Sequence, residues 1–156
     1  MTEDFEARLK ETFPDSQVTL GSKGRFWVTL TPGELIEAVG MLREKFSITQ
    51  LAVIVGEDVR DAFLCNYVFT GPRVVVLQVR LDHEKPRVPS LAMLIPGAMV
   101  YERELKDLFG IMPAGHPDLR RQAVPEDWPA DVFPLRKDVQ FNRDGEVIPQ
   151  EAKQNG

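Results

Sequence analysis

Three carboxylates and two cationic side chains fall within residues 102–107. On a helix, Glu104 and Asp107 are three residues apart and would share a face, which suits a carboxylate metal site. Helices that hold two metal ions through carboxylates also supply a histidine, and this run contains none. Its two i, i+4 pairs of opposite charge would each contribute only about 0.2–0.5 kcal/mol. Three interpretations stay open: a solvated helix face, a metal site, or a recognition helix whose charges pair with another protein.

A second polar group occupies residues 115–121. His116 could act as a general base that the carboxylate of Asp118 orients, but no Ser or Cys nucleophile lies nearby in the sequence. Arg120 and Arg121 suit recognition of carboxylates or backbone carbonyls, because a guanidinium forks to two acceptors. The alternative is a turn that Asp118 caps, with two solvated arginines.

A third group, Phe-Pro-Leu-Arg-Lys-Asp at residues 133–138, resembles a docking peptide, because proline fixes the backbone and lowers the entropy cost of binding. The alternative is an exposed charged turn. Five of the twelve prolines lie close together in this part of the chain, namely Pro113, Pro117, Pro125, Pro129 and Pro134. Such a segment cannot form a helix or a central strand. We therefore expect residues 113–138, here called the arm, to be extended along a surface.

Composition excludes several functions. The chain has 156 residues, a net charge of −5, one Cys and two His, too few ligands for an iron–sulfur cluster or a structural zinc site. The acidic balance argues against nucleic-acid binding. No apolar run approaches the roughly 20 residues of a membrane span, and the acidic start lacks a signal-peptide pattern. We expect a reducing, cytoplasmic compartment, with Cys65 in the core and His83 solvated in a turn.

Apolar spacing predicts the order α-β-β-α-β-β-β-α. Thr31 and Glu34 form a capping box before the second helix, and the apolar run at residues 51–55 indicates a central strand. The last helix spans residues 97–109 and ends at Gly110 in a left-handed conformation. We predict a two-layer α+β domain with a mainly antiparallel sheet at residues 1–112, followed by the arm at 113–138 and a flexible tail at 139–156.

Together, the three charged motifs resemble the 30-kilodalton subunit family of respiratory complex I. That family has a Glu-Arg-Glu triplet, then an acidic residue, two apolar residues, Gly and an aliphatic residue, as at residues 102–111. Its Gly-His-Pro-Asp-Leu-Arg-Arg and Pro-Leu-Arg-Lys-Asp motifs are similar to residues 115–121 and 134–138. The resemblance implies partner-binding or structural roles, and no catalytic or metal-binding role, for Glu102, Arg103, Glu104, Asp107, Gly110, His116, Pro117, Asp118, Arg120, Arg121, Pro134, Leu135, Arg136, Lys137 and Asp138.

The resemblance also implies a cofactor-free, non-catalytic accessory subunit at the cytoplasmic face of a membrane. Its partners would be a large subunit, which reduces quinone or carries a nickel–iron centre, and a small iron–sulfur subunit. The family also occurs in energy-converting nickel–iron hydrogenases and formate hydrogenlyases. Residues 125–133 and the chain end 18 residues after Asp138 look more like that branch. Two alternatives stay open: a freestanding hydrolase or isomerase using Glu104, Asp107 and His116, and a stand-alone peptide-binding module.

Overall fold

A computed structural model of the chain describes residues 1–148. This part contains three α-helices, namely α1 (Thr2–Thr12), α2 (Leu35–Phe46) and α3 (Ala98–Phe109). It also contains seven strands, namely β1 (Gln17–Leu20), β2 (Phe26–Leu30), β3 (Gln50–Asp58), β4 (Ala62–Thr70), β5 (Val75–Asp82), β6 (Arg87–Pro89) and β7 (Met112–Ala114). The helices have 11 or 12 residues. Over the described residues, none of them is long and apolar enough to cross a lipid bilayer.

Five strands form one sheet in the order β1-β2-β5-β4-β3. Only the contact between β2 and β5 is parallel, and the other three strand pairs are antiparallel. The predicted α+β class with a mainly antiparallel sheet is thereby confirmed. The structure adds a separate parallel pair, β6 and β7, to the predicted order. Each of these strands has three residues and contains a proline, so neither shows a two-residue apolar period that could be recognised in the sequence.

All three helices pack on one face of the sheet. Leu9 of α1, Leu42 of α2 and Leu105 of α3 belong to one core with inward-facing strand residues such as Leu77. The opposite face is open, and Val55 on that face is 47% exposed. An antiparallel sheet tolerates one open face because its strands are joined by hairpins rather than by covering helices.

The prediction of a central strand at residues 51–55 is wrong, because β3 lies at the edge of the sheet. Helix α3 shields this edge, and the Tyr101 hydroxyl donates a hydrogen bond to the Ala52 carbonyl at 2.9 Å. Only Ile54 of this run is buried, whereas Ala52 and Val55 are exposed, so a continuous apolar run does not establish that a strand has neighbours on both sides. The central position belongs to β5.

The ends of α2 and α3 follow the predicted local chemistry. The Thr31 N–H donates to Glu34 Oε2 at 2.7 Å, within the capping box that precedes α2. Gly110 ends α3 with φ +74°, a conformation that favours glycine. The Ile111 N–H then donates back to the Leu105 carbonyl at 3.3 Å. This reversal directs the chain after α3 back along the helix, which positions the arm.

Close packing of α3 on β3 requires a glycine at position 56. A Cβ atom on Gly56 would lie 2.7 Å from both Leu105 Cδ2 and Phe109 Cε2. We expect Gly56→Ala to lower the free energy of unfolding by about 1–3 kcal/mol, because the new methyl group must displace α3. Urea denaturation followed by circular dichroism measures this change.

Gly40, within α2, provides the control. A Cβ atom there meets no heavy atom within 4 Å outside its own helix, so Gly40→Ala should raise the free energy of unfolding by about 0.5–1 kcal/mol through helix propensity. Stabilisation by both substitutions would contradict the close contact between α3 and β3.

Candidate functional site

The three charged motifs meet along α3. The arm returns over this helix, where the Leu135 N–H donates to the Leu108 carbonyl at 3.0 Å and Lys106 Nζ donates to the Leu119 carbonyl at 3.3 Å. We call this contact between α3 and the arm the seam. Residues that are far apart in the sequence therefore form one site, and most of its charged groups bind the chain's own backbone.

Glu102 is buried at the start of the seam. Its side chain is fully inaccessible to solvent, so Glu102 is not part of a solvated helix face. Its Oε2 accepts a hydrogen bond from Ser90 Oγ at 2.5 Å, and its Oε1 accepts one from the Leu91 N–H at 2.6 Å. Burial raises the pKa of Glu102, and the bonds from Ser90 and Leu91 and the nearby His116 oppose that shift.

The imidazole of His116 is also inaccessible to solvent, and its Nε2 lies 3.8 Å from Glu102 Oε2. Its Nδ1 accepts the Asp118 N–H at 3.0 Å, and its Nε2 lies 3.1 Å from the Met99 carbonyl. These partners assign the proton of the neutral ring to Nε2, because Nδ1 must present a lone pair. His116 is thus oriented by the Asp118 backbone, and not by the carboxylate that the sequence suggested.

The Asp118 carboxylate binds arginines instead. Arg120 Nη2 donates to Asp118 Oδ2 at 2.6 Å, and Arg103 Nη1 lies 3.7 Å from the same oxygen. The hydrogen bond from Arg120 lowers the pKa of Asp118 to about 2. Arg120 itself keeps 82% of its side chain exposed. This pair fixes the turn at residues 115–120 and leaves a guanidinium at the surface.

Asp107 holds the middle of the arm. Its buried Oδ2 accepts the Gln122 N–H at 2.7 Å and the Ala123 N–H at 2.8 Å. Glu104, three residues earlier, is half-buried. Within residues 1–148, no three His, Cys, Asp or Glu side chains lie together as a metal site would need. The Asp107 carboxylate and the His116 imidazole instead contact backbone groups.

Arg121 forms hydrogen bonds within the middle of the arm. Its Nη1 donates to the carbonyls of Pro125 and Glu126 at 2.9 Å and to that of Trp128 at 2.5 Å. The Trp128 indole N–H then donates to the Val132 carbonyl at 2.9 Å. One guanidinium therefore satisfies three carbonyls that a proline-rich segment cannot pair in a helix or a sheet.

The end of the arm is fastened through Arg136. Its guanidinium lies 4.4 Å from the Phe133 ring centre and 5.1 Å from that of Phe63, and its Nε donates to the Phe109 carbonyl at 2.6 Å. Gly110 leaves the necessary space, because a Cβ atom there would lie 2.7 Å from Arg136 Nη2. Gly110, which ends α3, and Arg136 of the Pro-Leu-Arg motif thus pack directly against each other.

Asp58 of β3 also holds the end of the arm, and no pattern in the sequence indicates its role. The side chain of Asp58, at the end of β3, is 2% exposed, and its Oδ2 accepts the Lys137 N–H at 2.8 Å. Its Oδ1 accepts the Arg60 N–H and lies 3.2 Å from His83 Nε2. Burial alone would raise the pKa of Asp58, but the bonds from Lys137, Arg60 and His83 outweigh it and the pKa is lowered.

His83 corrects another expectation. It was expected to be solvated, yet only 24% of its side chain is exposed, and its ring stacks on Phe63 at 4.3 Å. Cys65 lies in the core as expected, where burial, and secondarily Glu102, raise the pKa of its thiol to about 12. A thiol in that state is not a nucleophile near neutral pH.

The outward face of the arm carries side chains that the seam does not use. Leu135 is 53% exposed and Leu119 is 37% exposed, and the side chains of Arg120 and Lys137 also point to solvent. Residues 139–148 of the expected tail include a bridge between Phe141 and Val147, and residues 149–156 lie outside the described part.

Known proteins share both the sequence pattern and the fold. The model of a family described as "Respiratory-chain NADH dehydrogenase, 30 Kd subunit" matches residues 28–145. Formate hydrogenlyase subunit 5 of Escherichia coli is 34% identical over 143 residues, which cover 86% of this chain and 25% of that protein. An NADH-quinone oxidoreductase subunit of Roseiflexus sp. is 36% identical over 143 residues, which cover 85% of this chain and 80% of that protein.

A solved structure, the trypsin-resistant fragment of Nqo5, is also similar. It is 26% identical, with a TM-score of 0.65 over 76% of this chain and 100% of the fragment. The chain therefore spans most of the Roseiflexus relative but about a quarter of the hydrogenlyase subunit. The shared region is a unit that forms most of one relative and a small part of a longer polypeptide in another.

The backbone contacts of Asp107 give a direct test of the seam. We expect Asp107→Ala to lower the free energy of unfolding by about 1.5–3 kcal/mol, because two N–H donors of the arm lose a charged acceptor. Asp107→Asn keeps one oxygen and should cost less. Glu104→Ala removes the same charge from the same helix and should change stability by less than about 0.5 kcal/mol. Equal losses for Asp107→Ala and Glu104→Ala, measured by urea denaturation, would show that the arm does not depend on Asp107.

The raised pKa of Glu102 gives stability a defined pH dependence. The folded state binds the proton of the Glu102 carboxyl more tightly than the unfolded chain does. The stability that this proton contributes is therefore full below the ordinary pKa of 4.5, and it is lost as the pH rises through the pKa of Glu102 in the folded state. Compared with Glu102→Gln, the native chain should therefore become less stable as the pH rises above 4.5. Denaturant titrations across that range measure the difference, and a difference that does not change with pH would contradict the burial of an ionisable group.

Proposed function

The chain belongs to the family of the 30 Kd subunit of respiratory-chain NADH dehydrogenase, and from that premise we propose that it is a non-catalytic accessory subunit of a membrane-bound oxidoreductase complex. In this proposal the chain holds no cofactor and docks on the large catalytic subunit, with the small iron–sulfur subunit nearby. The complex lies at the cytoplasmic face of the membrane, and this chain is peripheral to it.

One observation carries the proposal: the charged motifs fix the position of the arm. Asp107 and Asp58 accept hydrogen bonds from N–H groups of the arm, and Arg136 of the arm donates to the Phe109 carbonyl at the end of α3. A segment that is held in one conformation before binding loses less entropy when a partner arrives. The family motifs therefore support recognition by a preorganised surface.

The outward face of the arm supplies the contacts in this proposal. Leu119 and Leu135 offer apolar area, and Arg120 and Lys137 offer positive charge to acidic groups or carbonyls of the partner. Formate hydrogenlyase subunit 5 supports a large partner, because the stretch similar to this chain is a quarter of that longer protein. In that relative, this unit and a longer stretch of sequence form one polypeptide. We infer that the unit, as a separate chain, binds a polypeptide similar to that longer stretch.

Co-expression with the large subunit tests the docking surface. We expect Leu135→Asp to reduce co-purification at least about tenfold, which corresponds to about 1.4 kcal/mol of binding free energy. Leu135 is 53% exposed on the arm, and Val55 is 47% exposed on the opposite face of the sheet. Val55→Asp is thus a matched control that should leave co-purification unchanged. Loss with Val55→Asp and none with Leu135→Asp would place the interface on the open sheet face and contradict the proposal.

The branch of the family is a separate question. Residues 125–133 favour the hydrogenase branch, whereas the two relatives, one from each branch, are 34% and 36% identical. We predict that the large subunit purified together with this chain holds nickel. Elemental analysis of the purified assembly decides this, and a nickel-free large subunit that reduces quinone would assign the chain to the respiratory branch.

A further inference from the structure

The turn that leads into α3 presents apolar side chains to solvent. Met93 is 78% exposed and Leu94 is 45% exposed, and Val100 in the first turn of α3 is exposed as well. Within residues 2–148, no large apolar side chain is more exposed than Met93. Residues 88–101 contain no Asp, Glu, Lys or Arg, so this stretch adds no charge to the surface around Met93 and Leu94. We call residues 91–97 the apolar turn.

Buried polar groups hold the backbone of the apolar turn. The Leu91 N–H donates to Glu102 Oε1 at 2.6 Å, and Ser90 Oγ donates to Glu102 Oε2 at 2.5 Å. The Leu91 carbonyl then accepts the N–H groups of Leu94 at 3.0 Å and of Ile95 at 2.8 Å. The turn is therefore fixed at its base, and Leu94 is held outward before any partner arrives, which lowers the entropy cost of binding.

The apolar turn adjoins the arm through the first turn of α3. His116 Nε2 lies 3.1 Å from the Met99 carbonyl, and Gln122 Nε2 donates to the Val100 carbonyl at 3.5 Å. The exposed apolar side chains thus continue the surface whose outward face carries Arg120.

The composition of this combined surface matches the anatomy of an interface between proteins. The core of such an interface is depleted of charge and enriched in Met, and its rim is polar. Methionine also adapts its shape to an irregular pocket. A segment that lies on a lipid surface instead depends on Lys and Arg beside its apolar side chains. Residues 88–101 contain neither, and the chain has a net charge of −5, so the chemistry favours a protein partner.

We propose that Met93 and Leu94 enter an apolar pocket of the large subunit and form the core of the docking surface, while the arm forms its charged rim. This inference rests on the proposed function and extends the docking surface beyond the arm. Glu102 of the first charged motif is then a positioning residue, because it holds the turn that carries both side chains.

Co-expression of the full chain with the large subunit tests the apolar core. Truncation of a residue at the centre of an interface commonly weakens binding thirtyfold or more, so Leu94→Asp should reduce co-purification at least about thirtyfold. Leu20 is also 45% exposed and lies on β1, at the opposite edge of the sheet from β3 and α3. Leu20→Asp is therefore a matched control that should leave co-purification unchanged.

The outcomes separate this inference from the proposed function. Loss of co-purification with Leu135→Asp and none with Leu94→Asp would keep the arm as the docking surface and overturn the apolar core. No loss with either variant would contradict docking through this surface altogether. Binding of the isolated native chain to neutral-lipid vesicles, or its dimerisation in sedimentation experiments, would overturn the proposal if Leu94→Asp abolished it.

Oxidation of Met93 provides a second measurement that needs no variant. Dilute hydrogen peroxide converts an accessible methionine to its sulfoxide, and mass spectrometry of peptides follows the rate. Met93 should oxidise at least about tenfold more slowly in the purified assembly than in the isolated chain, because a buried thioether is shielded from the oxidant. Equal rates in the two samples would show that Met93 stays exposed in the assembly and would overturn the proposal.

Discussion

A buried carboxylate that is hydrogen-bonded to the backbone of a distant segment is the interaction on which the arm depends. A carboxylate that leaves water must recover its hydrogen bonds or it destabilises the fold. A proline-rich segment has the complementary need, because its N–H groups cannot be paired in a helix or a sheet. Asp107 and Asp58 meet both needs, since each accepts N–H groups of the arm. Glu102 does the same for the Leu91 N–H and lies beside His116.

The elements of the domain could be predicted because their signals are local. The capping box at Thr31 and Glu34 and the left-handed end of α3 at Gly110 depend on neighbours within a few residues. The edge position of β3 could not be predicted, because its apolar residues occur on the exposed face as well as on the buried face. Local patterns specify an element more directly than they specify its neighbours.

The charges of the seam were harder to predict for a related reason. A Glu in a charged helical run has the same spacing whether it is solvated or buried, and the burial of Glu102 arises from Ser90 and Leu91, 12 and 11 residues earlier. Asp58 binds Lys137 across 79 residues, a distance at which sequence spacing carries no information. The resemblance to a family identified most of the residues at the seam, but it did not say that they bind one another.

The seam and the outward face of the arm have different roles. The seam uses charges to hold a segment that has little secondary structure of its own, and the outward face remains available to a partner. In the proposed function, the chain contributes a fixed shape to the complex that it joins.

Lysine crosslinking of the native assembly, followed by mass spectrometry, tests the docking of the arm most directly. Lys137 lies exposed on the arm, and Lys23 lies exposed in the turn between β1 and β2. We predict crosslinks from Lys137 to the large subunit and none from Lys23 to that subunit. Crosslinks from Lys23 to the large subunit, with Lys137 reacting only with solvent or with its own chain, would contradict a partner-binding arm.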